Sequence, residues 1–307
     1  MNIKFLSIDK YIKGDETVFL SNDKSKEYIS IPQLMMEHGP GVDKSLKMRI
    51  PIIHKMIGCI YQSHKSASSI TKNPKLNKNK ISDEELVKLE RYIRMFDIDM
   101  IGYTKVKQEM IFKDHKILYD NAIVLIKEMK KEQMSTAPSK QALKEVFRTY
   151  YDLGVCVNKI ASYLRNKGYN SMAGPAIGGD TNYVALAQSA GLGEIGKHGM
   201  LITNADYGVS HRISVIYTDI TNLPKSKVNN HTWIKDFCNE CNRCINACKA
   251  NAIYDEAIDK SSIDQKKCAT PFANEYGCSG CIKECSFFNG NYEKIKQSFL
   301  GTTVKNK

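Results

Sequence analysis

Eight of the ten cysteines in this 307-residue chain fall into two runs near the C-terminus. The first run is Cys238-x-x-Cys241-x-x-Cys244-x-x-x-Cys248. The second is Cys268, then Cys278-x-x-Cys281-x-x-x-Cys285. A [4Fe–4S] cubane takes four thiolates. Three can come from one tight C-x-x-C-x-x-C turn and the fourth from a distant point, so in two-cluster modules the last cysteine of a run ligates the other cluster. Eight thiolates therefore serve two cubanes with none left over. The spacing predicts one cluster on Cys238, Cys241, Cys244 and Cys285, and a second on Cys248, Cys268, Cys278 and Cys281. A zinc site would pair C-x-x-C units or combine them with histidine, which this spacing does not do. A disulfide framework belongs to small secreted domains. Cys59 and Cys156, in the apolar settings IGCIY and LGVCVNK, read as buried small hydrophobes. The chemistry these residues imply is electron transfer.

The rest of the chain must position that wiring. Its length points to about two domains, and 42% hydrophobic with 25% charged residues describes an ordinary globular protein with a real core. No apolar run approaches the ~18 residues of a membrane span. The N-terminal MNIKFLSIDKYIKG has neither a hydrophobic signal core nor a twin-arginine pair, so the expected location is a reducing cytoplasm. The net charge is +12, yet Asp236 to Gly290 holds eight acidic and six basic residues, so the positive excess lies elsewhere. Residues 65–80, KSASSITKNPKLNKNK, carry five lysines and no acid. Without interleaved aromatics to stack on bases, this stretch reads as a solvated lysine-rich linker rather than an RNA-binding patch.

Within residues 1–80 the readable features are short elements (TVFL, EYISI) and a turn at Gly39-Pro40-Gly41. A clearer unit begins at Ser82, where Ser82-x-x-Glu85 is a capping box followed by Leu86, Leu89, Tyr92, Ile93 and Phe96 at helical spacing. Ile98–Tyr103 reads as a strand and Ala122–Ile126 as a fully buried one. Ser139–Lys167 reads as a long helix ended by Gly168, and Thr181–Ala190 as another. Met200–Thr203 and Ile213–Asp219 are expected to form a hairpin across residues 204–208. Leu223 to Ser226 begins a linker. Alternating helices and strands predict an α/β (α+β) layered domain. Gly191-Leu192-Gly193-Glu194-Ile195-Gly196 spells G-x-G-x-x-G, but a helix precedes it and a strand follows, the reverse of a dinucleotide-binding fingerprint. These glycines either bring backbone close to a flat, bulky ligand or simply form a tight loop.

The stretch NAIVLIKEMKKEQMSTAPS, the helix end YLRNKGYN and the loop AGLGEIGKHGMLIT, ahead of the two cysteine runs, resemble the reductive dehalogenase and epoxyqueuosine reductase superfamily over about residues 82–290. That resemblance implies a nitroreductase-like domain binding cobalamin without a protein ligand beneath the cobalt, followed by a ferredoxin-like module with two [4Fe–4S] clusters. The implied division is an N-terminal segment 1–80, a cobalamin domain 81–228 and a cluster module 229–307. The nine-residue gap between Cys268 and Cys278 and Glu194 in the glycine loop look more like the dehalogenase branch. Lysine and serine follow Cys248 and Cys285 where relatives carry proline. The tyrosine that dehalogenases place shortly after the NAIVLIKEM strand has no counterpart in KKEQMSTAPS.

On this resemblance Gly191, Gly193, Gly196 and Thr203 would wall a corrin pocket. Lys197 would sit near substrate or corrin, unless it is a plain surface lysine. Asp180 or Tyr183 would donate the proton that quenches the developing anion, Asp180 being alternatively a helix N-cap. His198 reads as structural rather than as a cobalt ligand. The implied function is a cobalamin-dependent reductase of a small organic substrate, fed by a ferredoxin or flavodoxin. The alternatives are an electron carrier without corrinoid and a tRNA epoxyqueuosine reductase.

Overall fold

The computed structural model describes residues 8–12, 18–28, 37–39, 47, 50–258 and 261–305. Pro40 and Gly41 of the Gly39-Pro40-Gly41 turn and residues 29–31 of EYISI lie outside these residues. At the centre is a four-stranded sheet of β1 (Met100–Lys105), β2 (Asn121–Glu128), β3 (Ser171–Ala173) and β6 (His211–Thr218), in the order β1-β2-β6-β3. Every pairing is antiparallel, with Ile101 opposite Leu125, Val124 opposite Val215 and Met172 opposite Tyr217.

Ala122 to Ile126 is fully buried because both faces of the sheet are covered. This explains why β2 reads as an unbroken apolar run rather than an alternating one. On one face Ile123, Leu125 and Ile216 pack against Leu89 and Ile93 of α2 (Asp83–Arg94) and Val157, Ile160 and Leu164 of α3 (Lys140–Asn166). On the other, Val124, Val215 and Tyr217 pack against Leu186 and Ala187 of α4 (Tyr183–Ser189). The capping box forms as expected: the Ser82 hydroxyl accepts the Glu85 amide at 3.2 Å and donates to its carboxylate at 3.3 Å. The long helix runs to Asn166, with Ser139 as its N-cap.

Three expectations need correction. Residues 65–80 are not a linker throughout, because α1 (Ile53–Ser68) continues in a tighter helical turn to Lys72. Packed along α3, α1 buries Gln62, Ser63 and Ser66 while Ile57 and Tyr61 stay 62% exposed. Its polar face is inward, where Asn158 donates to the Gln62 carbonyl at 3.0 Å and to Ser66 Oγ at 3.1 Å. The hairpin between residues 200–203 and 213–219 does not form either. β5 (Leu201–Ile202) pairs instead with β4 (Glu194–Ile195) inside the glycine loop, and β6 inserts between β2 and β3. Finally, α4 starts at Tyr183 with Asn182, not Asp180, as its cap, accepting the Ala185 amide at 3.2 Å.

The cysteine runs lie on short elements: α5 (Trp233–Cys241), α6 (Arg243–Asn246), the antiparallel hairpin β7 (Ile253–Ile258) and β8 (Ser261–Ile263), α7 (Gln265–Asn274), α8 (Gly280–Lys283) and a closing α9 (Tyr292–Lys305). Both runs turn in the same way. Asn242 (φ 50°) and Ser279 (φ 65°) stand in the left-handed region before the four-residue helices α6 and α8. Trp233 anchors this region among Phe237, Phe287, Tyr292 and Phe299, with ring centroids 5.3 to 6.2 Å away. Its indole N–H donates to the Tyr292 hydroxyl at 3.0 Å.

Candidate functional site

Cys238, Cys241, Cys244 and Cys285 line one cavity together with His198, Phe237, Asn242 and Phe287. The three residues of the tight turn thus meet the last cysteine of the other run. Cys281 lies within electrostatic reach of Cys268, Cys278 and Cys248, the second expected set, and also of Cys244 at the boundary between the two. Burial pushes the Cys281 and Cys285 thiols up to about 12 and Cys238 to about 11. Neighbouring thiols contribute to the rise at all three, while a backbone amide and the Lys197 ammonium oppose it at Cys238. Such thiols ionise when iron takes the proton's place. Among the described residues no three His, Cys, Asp or Glu close around a single metal ion. A cubane is larger, with its thiolates at the corners of a cage, and the two four-cysteine sets fit that donor requirement.

The glycine loop presses against this region. Gly191, at φ +73°, follows the C-terminus of α4 as a left-handed terminator. A side chain on Gly193 would meet the Ile202 carbonyl across β4–β5, and one on Gly196 would meet Ile202 and His198. The chain's own packing therefore accounts for the missing side chains at Gly193 and Gly196. Thr203 is fully buried and donates to the Gly208 carbonyl at 3.0 Å. Lys197 is not a surface lysine. Its buried ammonium pairs with Asp255 and donates to Asn242 Oδ1 at 3.0 Å and the Asn239 carbonyl at 3.3 Å. His198, 2% exposed, places Nε2 3.4 Å from Cys285 Sγ.

Asp180, freed from capping, contacts His115 Nδ1 at 3.1 Å through Oδ1. The Phe112 amide donates to the Asp180 carbonyl at 2.9 Å, and the Tyr28 ring lies tilted against Phe112 and His115, with centroids 5.4 and 5.0 Å away. Burial first, then Tyr150 and Asp180, push the Tyr28 phenol up to about 12. Tyr183 is enclosed, and its phenol is driven well above the ordinary value by burial. Its neighbour Tyr217 is already engaged with Thr181 at 2.7 Å, leaving the Tyr183 hydroxyl without a well-formed partner.

Sequence reasoning missed Tyr150 and Arg212. The Arg212 guanidinium lies 4.4 Å over the Tyr150 ring. Its buried Nε lacks a hydrogen-bond partner, as does Nδ1 of adjacent His211. Tyr150 lies about three turns into α3, beyond the segment KKEQMSTAPS. The signal that could have found it is an arginine in the otherwise uncharged strand β6, which needs a partner across the sheet face.

Those two unpartnered nitrogens are the structural test for a further ligand. A corrinoid presents amides and a phosphate: the Arg212 Nε–H can donate to a phosphate or amide oxygen, and His211 Nδ1 can accept from an amide N–H. In that respect the residues fit; the glycines by themselves do not require it.

The fold defined by the sheet and the cysteine module is that of the reductive dehalogenases. The catabolic reductive dehalogenase NpRdhA, solved in complex with 3-bromo-4-hydroxybenzoic acid, superposes with a TM-score of 0.67 at 17% identity, over 93% of this chain and 45% of that one. In sequence the chain is a relative of reductive dehalogenases and epoxyqueuosine reductases. A tetrachloroethene reductive dehalogenase of Desulfitobacterium hafniense is 33% identical over 186 residues, covering 54% of this chain and 33% of that protein. An epoxyqueuosine reductase of Listeria monocytogenes is 30% identical over 127 residues, covering 37% of this chain and 31% of that one. The matched part is thus about a third of either relative. No family model matches the sequence. Among the described residues, no helix is long and apolar enough to cross a membrane.

Proposed function

We propose that this chain is a corrinoid-dependent iron–sulfur reductase acting on a small organic substrate, with a nitroreductase-like domain over a ferredoxin-like module. The observation that carries this reading is the cavity in which Cys285 joins Cys238, Cys241 and Cys244. On this reading the eight cysteines hold two [4Fe–4S] clusters, and a ferredoxin or flavodoxin supplies electrons one at a time. Cobalamin, when bound, supplies a strongly reducing, nucleophilic metal centre. Arg212 and His211 would hold its polar groups, and the glycine-loop hairpin would form the wall between it and the first cluster. Asp180, steered by His115, holds the proton that the substrate carbanion takes up, and Tyr150 against Arg212 is a second phenolic source.

The test is metal analysis of anaerobically reconstituted protein. About eight iron per chain is expected, with cobalamin retained at about one per chain. Iron without cobalamin would instead support an electron carrier. Asp180→Ala is expected to abolish turnover with both metal contents intact, and unchanged turnover removes Asp180 from the reaction. A second reading, tRNA epoxyqueuosine reduction, is supported by the Listeria relative and the net charge of +12. Tight tRNA binding that falls steeply with salt would favour it.

A further inference from the structure

Lys197 and His198 stand together at the turn after β4, and both reach the first cysteine set. The Met200 backbone N–H lies 3.1 Å from His198 Nδ1. A backbone amide can only donate, so Nδ1 accepts and the ring proton sits on Nε2. That proton points at Cys285 Sγ, 3.4 Å away. Beside it, the Lys197 ammonium clamps the Cys238–Cys244 turn through Asn239 and Asn242. Its counter-ion Asp255 is 67% exposed and faces water, whereas the ammonium is 8% exposed.

We infer that Lys197 and His198 raise the reduction potential of the cluster held by Cys238, Cys241, Cys244 and Cys285 above that of its neighbour. Uptake of one electron adds one negative charge to a cluster. A buried cation and an N–H aimed at a ligating sulfur both stabilise the reduced form, and these are among the levers that spread such potentials. The buried setting amplifies both effects, and solvent weakens the opposing Asp255. Beside the second set, the hydrogen bond found at Cys248 is a backbone one, from the Ala252 amide at 3.3 Å. The first cluster thereby becomes the electron sink of the pair. This inference rests on the reading that the eight cysteines hold clusters.

The experiment is an anaerobic redox titration of the full chain with both clusters built, followed by electron paramagnetic resonance, which reads the two couples separately. Lys197→Met and His198→Leu should each move one couple to lower potential by at least about tenfold in equilibrium constant, ~59 mV for one electron, leaving the other in place. His198→Gln, whose amide can donate from the same position, should recover most of that shift, and Lys197→Arg should retain the potential. Asp255→Asn, on the exposed rim, should move the same couple upward, and it keeps the test open if a core variant does not fold. Full iron content with unmoved couples, or equal movement of both, overturns the inference and spares the clusters. Absence of iron in the unsubstituted protein overturns the cluster reading itself.

Discussion

His211 opens β6 with its ring enclosed, its Nδ1 unpartnered and the Arg212 charge beside it. Burial first, and Arg212 second, lower its pKa from 6.5 to about 3. The unfolded chain therefore binds a proton that the folded chain refuses between about pH 6.5 and 3. Stability linked to this residue is complete above pH 6.5 and is lost as pH falls through that window. At pH 5 the loss is about 2 kcal/mol. His211→Gln cannot take up the proton, so between pH 7.5 and 5 it should lose about 2 kcal/mol less than the natural protein in denaturant unfolding. Parallel losses in the two proteins would show that the imidazole is hydrated. Arg212 and Tyr150 belong to the same scale of argument. Each is an ordinary residue in its local sequence, and only their 4.4 Å contact across the sheet face gives them chemical meaning.

At the scale of elements, local rules succeeded where a segment's own side chains settle its structure. Ser139 Oγ accepts the Ala142 amide at 3.0 Å at the head of the 27-residue α3, which carries Tyr150. Ser139→Ala should cost about 1 kcal/mol in denaturant unfolding, and Ser139→Gly only a few tenths. A null effect from alanine would mean that packing alone holds the first turn. The helices at Ser82 and Ser139 were legible for that reason. α1 was not, because it buries glutamine and serine against Asn158 and exposes isoleucine, inverting the pattern that marks an amphipathic helix. The β4–β5 hairpin was hidden by its strands of two residues each, too short for periodicity. Which glycine closes against Ile202 is likewise a tertiary fact.

At the scale of the whole molecule, the meeting of Cys285 with Cys238, Cys241 and Cys244 in one cavity could be anticipated from their spacing, because a cubane needs four thiolates in reach of one another. Tyr150 and Arg212 could not, since they come from α3 and β6 and meet only across the sheet face, whereas Asp180 could be picked out beforehand as a candidate. The same contrast predicts how the protein comes apart. The sheet is sealed on both faces by aliphatic side chains, whereas α6 and α8 have four residues each, too short to persist alone. On the proposed function their order comes from thiolate–metal bonds, together with the Trp233 cluster beside them. Removing iron anaerobically with a chelator should therefore speed amide hydrogen exchange across residues 238–285. Exchange at Ile123–Leu125 and Val215–Ile216 should stay unchanged. In a metal-stabilised module the loss of binding energy is a loss of folding energy, while the sheet's burial is untouched by it. Exchange that rises equally in the sheet would mean that the two parts unfold as one cooperative unit. Exchange that rises in neither would mean that the aromatic cluster alone orders the cysteine runs.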